Sequence, residues 1–285
     1  MADISALDVK KLREKTGAGM MECKNALVAT NGDAAAAEKI LKEKGLAAVE
    51  KRAGRATNEG KIFIKIKDDG SRAVLTEIAS ETDFVARNPE FIALGAELCA
   101  KALEKGYVDT ADELKTMVLD LATKIRENMS LKRLMVMDAG PGEYLCQYIH
   151  GDGVIGVVVK LAADKAEALE NEDIKAFIFT IALHIAAFNP MVLSKEKIDA
   201  VWLKEQEEIF RKQMEQDESV QGKPTNVIDN ILKGKLNKFL KEICLLDQGY
   251  IKDEKINVAK ALEEAGKKAG VVLSIVDYVY FKVGT

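Results

Sequence analysis

Two histidines, His150 and His184, and four cysteines, Cys23, Cys99, Cys146 and Cys244, are the only imidazoles and thiols in the 285-residue chain. An imidazole could serve as a general base, and a thiolate as a nucleophile or metal ligand. The cysteines lie far apart, and no pair has the spacing of a zinc site or a redox CxxC. His150 falls in an expected turn. His184 sits inside an apolar helical pattern, where a core role needs only one hydrogen-bond partner. Gly151-Asp152-Gly153 resembles a fragment of a phosphate loop, yet it lies between two strand patterns, and a hairpin turn accounts for it. No phosphate-binding loop, Rossmann fingerprint, nucleophile elbow or HExxH occurs. The carboxylates are scattered over charged helical faces, which read as solvated surface. These residues describe no enzyme, no cofactor site and no metal site.

The bulk composition points the same way. Acids outnumber bases 46 to 42, for a formal net charge of −4, whereas a nucleic-acid binder usually carries a basic excess. Protein partners are the better expectation. An apolar fraction of 48% over this length suits two or three cored domains. No apolar run is long enough for a membrane span, the first fifteen residues lack a signal-peptide pattern, and the isolated thiols suit a reducing compartment. The chain is expected in the cytoplasm.

The elements that would position any contact surface fall into an α+β pattern. Three short helices come first. Ser5 and Asp8 resemble a capping box, with Leu7 and Leu12 on the buried face and Gly17 and Gly19 as the stop. The second helix covers about 20–29. The third is capped by Asp33, carries Ala36, Ala37, Ile40 and Leu41, and is expected to end at Gly45. Residues 1–50 then form a bundle, and the charged stretch 51–60 a linker. Alternating Ile62, Ile64 and Ile66, the turn Asp68-Asp69-Gly70 and a strand over 73–80 make a β-hairpin. Asn88-Pro89-Glu90 opens a helix with Phe91, Leu94, Leu98 and Leu103 on its apolar face. A helix over 111–126 and a strand over 131–137 complete a first subdomain, 61–140.

The order then recurs within 141–285. Strands cover 143–149 and 154–161, a helix 173–188 is apolar through Ile174, Phe177, Ile181, Ile185 and Phe188, and 271–283 supplies a closing strand. Two related hairpin–helix–strand subdomains follow from this order. The second carries an insertion at about 194–230. A charged helix from Ser194 to about Gln216 has a thin stripe of Ile198, Trp202 and Ile209. A polar loop, 217–224, leads to a second helix through Ile228, Leu232, Leu236, Phe239 and Ile243. Such helices fold back antiparallel and project. A helix–strand module occupies about 255–285.

Three stretches carry a resemblance. They are LREKTGAGMMECKNAL over residues 12–27, ETDFVARN over 81–88 and KLNKFLKEICLLDQ over 235–248. Together, in this order, they resemble the elongation factor Ts family, and the likeness runs to the closing Tyr280-Phe281-Lys282-Val283-Gly284. Phe188 stands where the family often has Met, and Lys235 where Arg is common. The resemblance implies an N-terminal bundle of the ubiquitin-associated type and two core subdomains with an inserted helical hairpin. It also implies guanine-nucleotide exchange on elongation factor Tu, releasing magnesium and GDP, with no nucleotide bound by the factor itself. A ribosome- or RNA-associated factor anchored through the bundle and linker is the competing class, against which the acidic balance weighs.

The resemblance also assigns residues. By residue type alone, Phe84 is an aromatic just after a strand, where a core position is usual, and Asp83 is a turn residue or a ligand for a partner's cation or amide. The family match instead makes Thr82, Asp83, Phe84 and Val85 the motif that wedges into the GTPase and dislodges magnesium. Thr16, Gly17, Ala18, Gly19, Met20 and Met21 read by type as a glycine-rich helix–helix turn with Met20 in the core. The family implies that this segment docks on the GTPase domain. The inserted hairpin is a candidate for self-association.

Overall fold

The computed structural model describes residues 4–216 and 224–285, and its helices and small sheets give the expected α+β class. The described residues divide into two compact units. One takes residues up to Asp138 with Ile149–Gly156 and Phe281–Thr285, the other Ala139–Tyr148 and Val157–Tyr280.

The first unit opens with α1 (Ala6–Thr16), α2 (Met20–Ala29) and α3 (Ala34–Glu50). The Ser5 hydroxyl accepts the Asp8 amide, and Gly17, at φ 65°, closes α1 in the left-handed conformation that glycine adopts without penalty. Asp33 caps α3 by accepting the Ala35 and Ala36 amides at 2.9 and 3.0 Å. Val9, Leu12, Cys23, Ala26, Leu27, Ala37 and Leu41 form the small core. Leu7 corrects the expected buried face: it is exposed, because at 100° per residue it lies opposite Val9 and Leu12. Gly45 does not stop α3. It keeps a helical conformation, and its missing side chain lets α3 approach the later helix carrying Thr123, whose Cγ2 would lie 2.1 Å from a Cβ at Gly45. The extra turn carries Val49 into the core of the following sheet.

That sheet has the order β1 (Glu59–Ile66), β2 (Arg72–Ser80), β3 (Met129–Asp138), all antiparallel, with β1 opening two residues inside the expected linker. The one-turn α4 (Asp83–Ala86) follows β2, then α5 (Pro89–Lys105) and α6 (Asp112–Ile125) cover one face. Asn88 caps α5 with Pro89 at the first helical position, as its sequence predicts. Val74, Ile78, Phe91, Leu98, Leu114, Val118 and Leu134 fill the core. On the central strand Glu77 is buried, and its charge is met by Arg133 at 2.7 Å and by the Gly284 amide at 3.1 Å. Arg133 also lies 4.0 Å over the ring of Phe281. A buried carboxylate left without such partners would cost several kcal/mol, so these contacts fix the chain's last residues to β2.

A second sheet has the order β4 (Glu143–His150), β5 (Ile155–Ala163), β8 (Leu273–Lys282), and Gly151–Val154 form the turn between the first two. In the second unit α7 (Glu172–Phe188) buries Ile174, Ile178, Ile181 and Ile185. Phe188, expected on that face, is half exposed at the helix's last position. The inserted helices are α8 (Ala200–Glu215) and α9 (Thr225–Ile243). The first begins at Ala200, not Ser194, because the Asp199 carboxylate accepts the Val201 and Trp202 amides, while Lys195–Lys197 make a separate short turn. Ile209 faces solvent, so the expected stripe shifts. Trp202, Leu203, Phe210 and Met214 meet Ile228, Leu232, Leu236 and Phe239, with Trp202 and Phe239 stacked at 6.0 Å. The hairpin therefore has a core of its own. Of the expected loop 217–224, residues 217–223 lie outside those described. A short pair that the sequence did not reveal, β6 (Gly249–Tyr250) and β7 (Asp253–Asn257), precedes α10 (Val258–Ala269), which packs against α7.

Candidate partner-contact site

Phe84 is 80% exposed, the most exposed large apolar side chain among those described. Its neighbours in sequence explain how an apolar ring stays in water without the turn collapsing. Val85 and Ala86 are buried against the first sheet, so α4 is pinned from below. Thr82 caps α4 by accepting the Val85 amide, and Asp83 pairs with Arg87 at 3.1 Å across one helical turn. The helix is one turn long because Asn88-Pro89 starts α5 directly after it. A core position for Phe84, usual for its residue type, is excluded by this geometry. Val85 takes the core position instead.

Polar contacts hold the same turn from the side. The Ser80 hydroxyl donates to the Thr82 carbonyl at 3.0 Å. The Thr82 hydroxyl donates to the two carboxylate oxygens of Glu127 at 3.0 and 3.1 Å. Glu81 accepts the Asn128 amide at 2.6 Å and pairs with Arg55 at 3.2 Å. The amide bond, and secondarily Arg55, hold the Glu81 carboxyl below the usual range. The side chain of Asn128 donates to the carbonyls of Arg55 and Ala53, tying the stretch after α3 to the same place.

Thr16–Met21 forms the connection between α1 and α2. The Thr16 hydroxyl donates back to the Leu12 carbonyl at 2.7 Å and accepts the Ala18 amide. Glu22 accepts the Gly19 amide at 2.8 Å and pairs with Arg126, and these contacts hold its carboxyl below the usual value. Met20 is 51% and Met21 62% exposed, so Met20 is not the core residue that its type suggests. Cys23 and Leu27, one and two turns on, take that role.

The cysteines and one of the two histidines are withdrawn from solvent, while His150 ends β4 on the surface. All four cysteines are buried, and burial pushes the thiols of Cys99 and Cys146 up to about 11. His184 is buried, bonded through Nε2 to Gln248 at 2.9 Å, and burial lowers its pKa. The Gln248 amide donates to the Glu242 carbonyl, so its oxygen faces the imidazole and Nε2 carries the proton. Nδ1 is then a bare buried acceptor. A cleft of about 300 Å³ beside α3 and α6 is lined in part by ion pairs, Lys42 with Asp120, Lys15 with Glu38 and Arg126 with Glu22. Among the described residues no cluster of histidine, cysteine and carboxylate has the makings of a metal site. Phe84, Met20 and Met21 thus stand exposed on turns that these polar contacts hold.

Arg126, Glu127 and Asn128, which brace these turns, escaped the sequence reading. Their signal is positional only: they follow an amphipathic helix and precede a strand, and their partners lie 45 to 104 residues away in sequence.

Comparison with known proteins places these segments in context. A family model described as Elongation factor TS matches residues 81–285, starting at the first residue of the Phe84 motif. Elongation factor Ts of Treponema denticola is 51% identical over 282 residues, covering 99% of each chain. Elongation factor Ts of Treponema pallidum is 44% identical over 291 residues, and that of Borrelia hermsii 40% over 282, each again with 99% coverage of both chains.

Proposed function

The chain belongs to the elongation factor Ts family, and on that footing we propose that it drives nucleotide exchange through a preorganised wedge centred on Phe84. It is the guanine-nucleotide exchange factor of elongation factor Tu in translation elongation, a role that asks for binding energy and not for bond-making. A GTPase holds GDP through backbone amides and a magnesium ion. A factor that binds the nucleotide-free form more tightly lowers GDP affinity by the same ratio, and a hundredfold ratio corresponds to about 2.7 kcal/mol of coupling. The coupling must come from a contact made only when the nucleotide site is distorted.

Phe84 is suited to supply that contact. The single observation that carries the reading is an aromatic ring 80% exposed on a turn anchored by Val85, Ala86 and Thr82. A ring already held out pays little entropy on insertion. Asp83 would meet a cation or amide of the partner as magnesium leaves, and Val85 keeps the turn in place. Thr16–Met21 would dock on the same GTPase domain, with Met20 and Met21 offering adaptable thioether contacts. Residues 1–50 act in this account as a docking bundle of the ubiquitin-associated type, joined by 51–60 to two related core subdomains, 61–140 and 141–285. The inserted hairpin adds a second contact or pairs with another copy, and 255–285 completes the second subdomain. The protein would work in the cytoplasm, bind neither nucleotide nor metal itself, and catalyse no covalent step. No described helix is long and apolar enough to cross a membrane.

Calorimetry against elongation factor Tu tests the linkage. Nucleotide-free factor Tu should bind at least about a hundredfold more tightly than the GDP form. Equal affinities for the two forms would refute the proposal.

A further inference from the structure

We infer that Arg126 and Glu127 are positioning residues that set the two contact segments, Thr16–Met21 and Thr82–Val85, at a fixed spacing so that they meet the partner as one surface. The inference rests on the wedge reading above. Its basis is that consecutive residues reach in two directions. The Arg126 guanidinium grips Glu22, the carboxylate that accepts the Gly19 amide of the first segment. The Glu127 carboxylate accepts the Thr82 hydroxyl of the second at 3.0 and 3.1 Å. Asn128, 8% exposed, adds the Glu81 contact and the two carbonyls of residues 53 and 55.

The backbone at Arg126 makes the arrangement more telling. Arg126 closes α6 at φ 69°, a left-handed conformation in which glycine is the easier residue. A site selected only for helix termination would gain from glycine. An arginine there keeps a strained backbone and delivers a guanidinium to Glu22. Thr82 is likewise placed twice, as cap of α4 and as donor to Glu127, so movement of the 126–128 turn is transmitted to the helix that carries Phe84.

The test is release of labelled GDP from elongation factor Tu, titrated with variants of the full chain and fitted for maximal rate and half-saturating concentration. Glu127→Ala should lower the maximal rate about tenfold by loosening the turn under Phe84. Glu127→Gln keeps an acceptor for the Thr82 hydroxyl and should restore most of it. Arg126→Gly should leave melting temperature equal or higher, yet raise the half-saturating concentration about threefold with the maximal rate kept. In a Phe84→Ala background Glu127→Ala should cost nothing further. If Phe84→Ala loses exchange while both Glu127→Ala and Arg126→Gly titrate like the natural protein, the positioning role is refuted and the wedge stands. If the two variants lose melting temperature and exchange in proportion, with no split between rate and half-saturation, they are structural residues only. If Phe84→Ala exchanges normally, the wedge falls and this inference with it.

Discussion

Replacing Phe84 by alanine separates a contact residue from a core residue more sharply than any other single change. The ring is 80% exposed, so its removal forfeits little in the free protein. Surface truncations of this kind shift stability by no more than about 0.5 kcal/mol. If the ring becomes buried in the partner, the loss is different. Full burial of a phenylalanine is worth about 2–3 kcal/mol, and four fifths of that is about 2 kcal/mol. Spent only in the nucleotide-displaced complex, this equals a fall of about thirtyfold in the maximal rate of stimulated GDP release, with half-saturation little changed. Stopped-flow release of a fluorescent GDP, paired with thermal melting, reads both quantities. Phe91→Ala is the control, since Phe91 is wholly buried and its loss should cost about 3–5 kcal/mol of stability. Phe84→Leu keeps most of the apolar area and should recover much of the rate. A Phe84→Ala protein that melts far below the parent would show that the ring belongs to the core. One that melts normally and exchanges normally would show that it is not a wedge.

Other expectations rest on the scaffold. His184 is buried with a pKa below its ordinary value, so the unfolded chain takes up a proton first as pH falls through about 6.5. Its contribution to stability is therefore present above that pH and is lost down to the depressed folded value; urea melts at stepped pH should show the decline, and His184→Leu should flatten it. Gly45→Ala forces a methyl against the Thr123 side chain and should destabilise by about 1–3 kcal/mol despite alanine's better helix propensity, measured by urea denaturation. Shortening the hairpin from residue 206 to 231, which keeps the Trp202–Phe239 stack, should leave the fold cooperative by calorimetry and weaken half-saturation while the maximal exchange rate is reached at high concentration.

The sequence revealed elements whose causes are local. Asn88-Pro89 announced α5 because a cap and a fixed proline φ act within one turn, and the alternation from Ile62 to Ile66 announced β1 because a strand shows its period directly. It misled where a long-range partner decides. Gly45 carries the sequence signature of a helix end, yet the approach of Thr123 makes the same residue useful inside α3. Leu7 and Ile209 are apolar but lie on outward faces, a matter of the helix phase set by Val9 and Leu12, or by Leu203, Phe210 and Met214. The site divides in the same way. The segments around Phe84 and Gly17 were legible through family resemblance, while residue type alone placed Phe84 and Met20 in the core. Arg126 and Glu127 carry no motif, because their meaning lies in partners far off along the chain.

If this chain releases GDP from elongation factor Tu by contact alone, the rate of labelled GDP release measures it directly. Factor Tu loaded with labelled GDP, mixed with excess unlabelled GDP, should lose its label slowly alone and much faster, to a saturable maximum, as this protein is added. The protein by itself should retain no label. A release rate that does not change at any concentration of well-folded protein would contradict the account.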